Sequence, residues 1–265
     1  MAMALGLCAR LGYRHRQQFR EIVLDQKQRL IPRAKRPDIE GPFETLMALG
    51  ARVPGPLGYV ARRKLKRRHC KRAQDTFSLV LTDTGPGDLC LDLGANVGTF
   101  TRRMAETGAD VIGFEPDPGA WSVLERRVQD LPNVTLIHKA AGHADDTLTL
   151  YRSDKWSPDS PGAHTESSSL IPTKGASQAV TVDVIDIIAF IENLDRDIRI
   201  IKMDIEGAEW DILTRLIDHP VLNRIDCIFV ETHERADPAK YVPLFDALQD
   251  RAEQLTKPYI NLYWI

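Results

Sequence analysis

The chain has 265 residues, 43% of them hydrophobic and 27% charged, and a net charge of −2 at pH 7, which is the composition of an ordinary soluble protein. It has no apolar run of about 18 residues and no basic segment ahead of its first apolar residues, so neither a membrane span nor a standard secretory signal is predicted, and the cytoplasm is the expected compartment. The four cysteines lack CxxC spacing, which excludes the usual patterns of a zinc site or a disulfide framework.

The first part of the chain is strongly basic. Residues 1–80 carry a net charge of +12, whereas the rest carries −14. We predict that residues 1–75 form a mainly helical extension, because the segment Arg16–Ile31 can form a helix with an apolar stripe. The simplest interpretation is a solvated extension packed on the main domain. The alternative is contact between the basic run Arg62–Arg72 and an anionic partner, such as a phosphorylated carrier, a membrane surface or nucleic acid.

Short apolar runs alternate with amphipathic runs from Asp88 onward, which is typical of βαβ units. We therefore predict an α/β domain over residues 76–265, with an open, mostly parallel sheet and helices on both faces. Asp117-Pro118 and Asp237-Pro238 each place an N-cap residue before a proline, which marks a helix start. The predicted strands are Leu89–Leu93, Asp110–Glu115, Val134–Lys139, Ile198–Asp204, Ile225–Thr232 and Tyr259–Trp264. The predicted helices are Gly98–Glu106, Pro118–Gln129, Val184–Asn193, Gly207–Ile217 and Pro238–Gln254.

An insertion over residues 142–181 interrupts this alternation. The pieces "DTLTLYRS" and "QAVTVDV" alternate apolar and polar residues, which predicts two strands, and a segment rich in serine, proline and glycine lies between them. A loop of this length in a compact domain is usually functional or disordered. We expect the insertion, including its Ser157–Thr165 loop, and part of the basic extension to close over an acceptor substrate.

The segment "CLDLGANVGTF" predicts a glycine loop between the first strand and the first helix of this domain. Gly94 and Gly98 lack a Cβ, so backbone there can approach a ligand closely. Asn96 stands in place of the central glycine of the dinucleotide motif. Asp92 would repel a pyrophosphate and attract the ammonium and sulfonium groups of S-adenosylmethionine, although a turn or cap role is the alternative.

Glu115 lies 21 residues after Gly94 at the end of the second strand, where an acidic side chain can accept both ribose hydroxyls. This role is shared by NAD and S-adenosylmethionine sites, and a plain loop carboxylate is the alternative. The segment "KAAGHADD" would lie beside the adenine. The predicted cofactor residues are Asp92, Gly94, Ala95, Asn96, Gly98, Glu115, Pro116 and Ala141.

Acidic residues follow two further strands. The segment "DIEGAE" places Asp204, Glu206 and Glu209 after the fourth strand, and Glu209 could equally be an ordinary acid at a helix N-terminus. The segment "VETHE" places Glu231 and His233 on one side of an extended segment, where His233 is either a general base or an exposed turn residue. A carboxylate and histidine cluster could also bind a divalent metal, but no HxH or HExxH spacing occurs, so no metal is predicted.

These motifs together resemble the FkbM family of S-adenosylmethionine-dependent methyltransferases. The resemblance covers roughly residues 76–254 and rests on "LDLGANVGTFT", "GFEPDP", "NVTLIHKAAG", Ser168–Leu170, "IKMDIEGAEWDIL" and "VETH". It implies a class I methyltransferase fold and methyl transfer to a hydroxyl of a sugar, glycan or polyketide-like product. It also implies that Asp92, Gly94, Asn96 and Gly98 hold the methionine part, Glu115 holds the ribose, and Asp204 and Glu206 border the acceptor. Unlike the family, the chain has only one strand after its last helix.

Transfer of a methyl group from a sulfonium is an in-line displacement, so the protein must align the acceptor and exclude water. The hydroxyl acceptor must also lose its proton, and the predicted catalytic residues are Asp204, Glu206, Glu231 and His233, with His233 or Asp204 as the base. Two other classes stay open: an NAD-dependent oxidoreductase on the same loop, and a non-catalytic adaptor whose basic extension binds an anionic partner.

Overall fold

The computed structural model describes residues 22–24, 29–33, 36–153 and 176–264. Its centre is a six-stranded parallel sheet with the spatial order Tyr259–Trp264, Ile225–Glu231, Ile198–Met203, Leu89–Leu93, Asp110–Phe114, Val134–Ile137. The predicted parallel sheet is thereby confirmed. In chain order the described strands are β1 (Ile22–Leu24), β2 (Leu30–Pro32), β3 (Leu89–Leu93), β4 (Asp110–Phe114), β5 (Val134–Ile137), β6 (Ala140–Gly142), β7 (Asp146–Ser153), β8 (Ala176–Asp186), β9 (Ile198–Met203), β10 (Ile225–Glu231) and β11 (Tyr259–Trp264).

Helices connect the strands of the sheet, and the two helices marked by an Asp-Pro pair begin at Pro118 and Pro238 as predicted. The Asp117 carboxylate accepts hydrogen bonds from Gly119 N and Ala120 N, and the Asp237 carboxylate accepts one from Lys240 N. Both caps satisfy amide groups that have no partner inside the helix. The described α-helices are α1 (Gly41–Gly50), α2 (Pro56–Leu81), α3 (Thr99–Ala105), α4 (Pro118–Val128), α5 (Ile187–Glu192), α6 (Glu209–Ile217) and α7 (Pro238–Gln254).

The two central strands, β3 and β9, are buried at every position. This burial explains why their sequences are nearly continuous apolar runs rather than alternating ones. The chain winds from β3 toward β4 and β5 on one side and toward β9, β10 and β11 on the other. Ligands bind in such folds at the carboxyl ends of the strands where the order reverses, which here is the crevice between β3 and β9.

The insertion forms a small second sheet with the order β6-β8-β7. Strands β7 and β8 pair antiparallel, which confirms the two predicted strands, while β6 pairs parallel with β8. The predicted helix from Val184 was wrong at its start, because β8 continues to Asp186, whose side chain then caps α5. The predicted lid Ser157–Thr165 and the Ser168–Leu170 element lie outside the described residues.

The basic extension is less helical at its start than predicted. Within the segment predicted as a helix, β1 and β2 pair antiparallel instead. Tertiary contacts explain the difference, since Arg29 binds Asp88 and the guanidinium of Arg199 donates to Leu30 O. Helix α2 runs through residue 75, the predicted domain boundary, and buries Phe77 and Val80 in the main core.

Along the described parts of the chain, we find no helix with the length and apolarity that crossing a bilayer requires.

Candidate active site

The glycine loop brings two parts of the chain together. Gly94 has φ +77°, and a Cβ there would lie 1.8 Å from Asp204 O; Gly98 has φ +81°, and a Cβ there would lie 2.6 Å from Leu124 Cδ1. At Gly94 a side chain is excluded by the backbone of Asp204, and at Gly98 it would be strained by the positive φ and would displace the end of Leu124. The close backbone approach that the sequence predicts is therefore a contact within the protein. Gly94, after β3, packs against the backbone of Asp204, after β9.

Asp92 lies beneath the loop and is fully buried. Its carboxylate accepts a hydrogen bond of 2.6 Å from Thr101 Oγ1 and lies 3.3 Å from Lys202 Nζ. It is not among the residues that line the cavity above the loop. Direct contact between Asp92 and a cofactor stays a prediction, and the geometry favours an indirect role through Lys202.

Lys202 is the functional candidate that the sequence interpretation missed. Its Nζ donates to Gly94 O at 2.7 Å and lies 3.6 Å from Asp204 Oδ2. Burial opposes its charge, but the carboxylates of Asp92 and Asp204 raise the pKa of Lys202, so it is a cation that joins the loop to β9. The sequence feature that could have identified Lys202 is its place inside a mostly apolar strand that is buried at every position.

A cavity of about 480 Å³ opens between the glycine loop and the ends of β9 and β10. Five carboxylates and two cations border it, so its charge suits a cationic ligand and disfavours a pyrophosphate. This donor set fits S-adenosylmethionine, which carries an ammonium and a sulfonium. Of the predicted cofactor residues all but Asp92 and Gly98 line the cavity, and of the predicted catalytic residues all but His233 do. The charged lining residues are Glu115, Asp117, Lys202, Asp204, Glu206, Glu231 and Arg235.

Glu115 is held rigidly at the cavity edge. Its Oε2 accepts a hydrogen bond from Asn96 N and its Oε1 accepts one from Asp117 N, each at 2.7 Å. Each carboxylate oxygen retains a second lone pair for a ligand hydroxyl. Burial raises the pKa of Glu115 to about 7, despite these two amide donors. A ribose diol is a suitable partner for a carboxylate fixed in this way.

His233 is buried behind the cavity and bound by Glu209. Glu209 Oε1 accepts hydrogen bonds of 2.9 Å from both His233 N and His233 Nδ1, and its Oε2 accepts one from Gly207 N. Glu209 is thus more than an ordinary acid at a helix start, and His233 is not an exposed turn residue. Burial would lower the pKa of His233, but the bond to Glu209 and the charges of Glu209, Glu206 and Asp204 raise it to about 9.

Glu206 stands between His233 and the cavity. It has φ +53°, a conformation rare for a residue with a side chain, and such strain concentrates at functional sites. Its Oε2 lies 3.2 Å from His233 Nε2 and 3.5 Å from the Arg235 guanidinium. Burial raises the pKa of Glu206 to about 7, with His233 and Arg235 opposing the shift. Glu206 therefore changes charge close to neutral pH.

The acidic cluster also has the spacing of a cation site. One atom each of Asp204, Glu206 and His233 lies within 4.8 Å of the others. The neighbouring carboxylates raise the pKa of His233 to about 9, so the imidazole is protonated at neutral pH in the metal-free chain, and a metal would have to displace that proton. The absence of a metal stays a prediction, and the imidazolium supplies positive charge to the cluster.

Comparison with known proteins gives matches to methyltransferases. Residues 92–255 match the family described as the methyltransferase FkbM domain, which covers more than half of the chain. The hexuronic acid methyltransferase AglP of Haloferax volcanii is 26% identical over 189 residues, which cover 68% of this chain and 74% of that protein.

Other relatives match over shorter stretches. The ribosomal RNA small subunit methyltransferase A of Thermotoga neapolitana is 43% identical over 54 residues, and this chain spans 21% of that protein's length. Among solved structures, an rRNA methylase from Streptococcus thermophilus has a TM-score of 0.34 at 12% identity, covering 62% of this chain and 73% of that one.

Proposed function

The chain belongs to the FkbM family of S-adenosylmethionine-dependent methyltransferase domains, and we propose that it methylates a hydroxyl oxygen of a sugar, glycan or natural-product acceptor. The observation that carries this proposal is the cavity itself, where the glycine loop and Glu115 face the carboxylates at the ends of β9 and β10. A cofactor and an acceptor can therefore meet in one cavity.

At the cofactor end, the residues orient the ligand by fixed charges. We propose that Glu115 accepts hydrogen bonds from the ribose hydroxyls, while the backbone of Ala95 and Asn96 borders the methionine part. Lys202 keeps the loop closed against β9 through Gly94 O. S-adenosylmethionine supplies an activated methyl group bound to a positive sulfur. The protein's task is then to align the acceptor with that methyl group and exclude water.

At the acceptor end, we propose that Glu206 takes the proton from the acceptor hydroxyl. Glu206 lines the cavity and its pKa of about 7 is well matched to a general base, whereas His233 lies behind it and is already protonated. His233 and Glu209 position Glu206 and balance its charge. Asp204 and Glu231 border the same space and complete the acceptor-binding surface.

The proposed acceptor class rests on the positive charge of Arg235 at the cavity border and on the relative AglP. AglP is a methyltransferase of hexuronic acid, and Arg235 places a cation at the border of the cavity of this chain. The Arg235 side chain is 61% exposed, which leaves its donors accessible to an acidic sugar. An acidic sugar or glycan is therefore the first acceptor to test.

The two alternative functions fit the site less well. An NAD-dependent oxidoreductase would bring a pyrophosphate beside an excess of carboxylates, at a loop in which Asn96 replaces the central glycine of the dinucleotide motif. An adaptor without catalysis has no use for a strained Glu206 held by a buried Glu209–His233 pair.

The test begins with thermal unfolding of the full chain in the presence of S-adenosylhomocysteine or NAD. A ligand at a hundred times its dissociation constant stabilises a protein by about 2.7 kcal/mol. We expect stabilisation by S-adenosylhomocysteine and none by NAD. Stabilisation by NAD alone would overturn the proposal, and no response to either would favour the adaptor.

The second step identifies the product. The chain is incubated with S-adenosylmethionine and matched oligosaccharides that end in a uronic acid or in the corresponding neutral sugar, and methylation is detected by mass spectrometry. A methyl ether survives mild alkali, whereas a methyl ester on the uronic carboxylate is hydrolysed. Loss of the added methyl group in mild alkali would contradict methylation of a hydroxyl. Arg235→Gln should lower the preference for the acidic sugar, with Arg126→Gln, another exposed arginine, as the control.

A further inference from the structure

The exposed apolar residues of this chain are concentrated in one segment. Eight large hydrophobic residues are exposed in the described parts of the chain, and seven of them lie within residues 39–60. Leu57 is 80% exposed and Leu46 is 61% exposed. Single exposed apolar residues are normal, whereas a concentration of this kind marks a surface that meets another apolar phase. The seven are Ile39, Phe43, Leu46, Leu49, Val53, Leu57 and Val60.

Helix α2 divides its positive charges between two faces. Its inner cations pair with carboxylates of the rest of the chain: Arg62 with Asp246, Lys66 with Glu234 and Arg72 with Glu44. Its outer cations are exposed and, in the described structure, have no carboxylate within ion-pair distance. The outer cations are Arg63, Lys64, Arg67, Arg68 and Lys71.

The apolar and basic parts form one continuous surface. Leu57, Val60, Lys64, Arg67 and Lys71 follow a spacing of three or four residues, which places them on one face of α2. Arg68 then joins this helix to α1, because its guanidinium lies 4.7 Å from the centre of the Phe43 ring. We call the exposed apolar residues of 39–60 together with the outer cations the basic-apolar surface.

We propose that the basic-apolar surface docks the protein on an anionic lipid membrane. Leucine and valine side chains would enter the acyl boundary while the arginine and lysine side chains contact lipid phosphates. Within residues 39–60 the acidic residues are Glu40, whose exposed carboxylate pairs with Arg72, and Glu44, which is buried, so the five outer cations dominate the charge of this surface. Lipid binding of this kind needs no helix that crosses the bilayer.

Charge and side-chain type favour a membrane over the other partners. A second copy of the chain would bring the same positive surface to the contact, and like charges would oppose the association. A nucleic acid would pair with the cations, but aliphatic side chains such as Leu46 and Leu57 cannot stack on bases as aromatic ones do. An anionic lipid surface accommodates both the charges and the aliphatic groups.

Helix α2 also connects this surface to the active site. On its inner face Lys66 donates to Thr232 O and Thr232 Oγ1, next to Glu231 and His233. Docking through the outer face would therefore bring the cavity close to the lipid surface, where an acceptor carried by a lipid is presented. The docking proposal itself depends only on the basic-apolar surface and stands even if the proposed acceptor is wrong.

The test is flotation of the full-length protein with large unilamellar vesicles. We expect binding to vesicles of phosphatidylglycerol and phosphatidylcholine in equal parts, weaker binding to phosphatidylcholine alone, and a decrease as salt is raised. Each lysine or arginine near an anionic leaflet contributes about fivefold to the partition coefficient, so Lys64→Gln with Arg67→Gln should lower it roughly 30-fold. Leu46→Ser with Leu57→Ser should lower it by more than about tenfold.

Matched controls lie elsewhere on the protein. Arg126→Gln with Lys240→Gln removes two exposed cations, and Leu148→Ser removes the one exposed large hydrophobic residue found in the described structure outside residues 39–60. Both should bind vesicles like the wild type, and all variants should keep the thermal midpoint and the binding of S-adenosylhomocysteine.

Three results would overturn the proposal. One is equal binding to the two vesicle types, or no binding to either of them. Another is binding of a labelled single-stranded RNA, in the absence of vesicle binding, that the Lys64 and Arg67 substitutions abolish. The third is a dimer in sedimentation that the Leu46 and Leu57 substitutions convert to a monomer while vesicles stay unbound.

Discussion

The two ends of the cavity hold their carboxylates in different ways. At the cofactor end, Glu115 is fixed by two backbone amides. One belongs to Asn96 in the glycine loop, and the other to Asp117, two residues after Glu115. At the acceptor end, Glu206 is held by side chains, His233 and Arg235, and His233 is itself held by Glu209. The first arrangement uses backbone amides as donors, whereas the second uses charged side chains.

This difference has a chemical consequence. A carboxylate bound by amides keeps a fixed position and suits the recognition of a ribose, which does not change during the reaction. A carboxylate next to an imidazolium can exchange a proton while its surroundings stay charged, which suits catalysis. We therefore expect substitutions at the cofactor end to change binding and substitutions at the acceptor end to change rate.

The largest expected effect is at Glu206. Glu206→Gln removes the proposed base and should lower kcat about 10²–10⁴-fold, with little change in the binding of S-adenosylhomocysteine. At saturating cofactor, the wild-type rate should rise as pH increases through about 7, where Glu206 ionises, and the variant should lose this rise. Asp211→Asn, an exposed acid in the helix that follows Glu206, is the control. An unchanged kcat in the Glu206 variant would remove this residue from catalysis.

The next effect concerns the protonated His233 and stability. Because its pKa is about 9 in the folded chain and about 6.5 when unfolded, its charge stabilises the fold below pH 6.5, and this contribution is lost as pH rises through about 9. The full contribution is about 3 kcal/mol by this conversion. Denaturant unfolding of the wild type should show the loss above pH 7, and His233→Gln should show a flatter profile.

His219→Gln provides the matched control for this measurement, since His219 is a partly exposed histidine that pairs with Glu192. It should leave the loss of stability above pH 7 in place, because His233 is unchanged in this variant. Parallel profiles for the wild type and His233→Gln would mean that no imidazolium is buried at the acceptor end.

A smaller effect is expected at Glu115. Glu115→Gln weakens the charge-assisted hydrogen bonds to the ribose, which are worth about 2 kcal/mol, so the dissociation constant for S-adenosylhomocysteine should rise roughly 30-fold. Once cofactor is saturating, kcat should change far less than in the Glu206 variant. Calorimetry measures the binding, with Glu125→Gln, an exposed acid on α4, as the control. A variant that lost kcat and retained affinity would reverse the proposed division between the two ends.

The smallest effect should come from removing divalent ions. If the imidazolium of His233 supplies the positive charge of the cluster, treatment with EDTA should leave the methylation rate unchanged. Addition of Mg²⁺ or Mn²⁺ after dialysis should leave it unchanged as well. A rate that falls with EDTA and returns with one of these ions would show that Asp204 and Glu206 bind a metal.

The sequence predicted the sheet well because its strands are buried on both faces and therefore appear as apolar runs between helix signals. It also predicted which strand ends carry acidic residues. It failed at β1 and β2, where long-range contacts of Arg29 and Arg199 outweigh a local helical pattern. The start of α5 was likewise misplaced, because pairing within the small sheet extends β8 to Asp186.

The sequence by itself determined the order of strands and helices, the glycine positions and the acidic character of the site, since these follow from local periodicity and residue type. Only the tertiary structure decided that Lys202 pairs with Asp92 under the loop, that Glu209 holds His233 as a cation, and that α2 has one paired and one exposed basic face. The physical reason is that burial and the distance between charges set these properties. Both are fixed only when distant segments pack together.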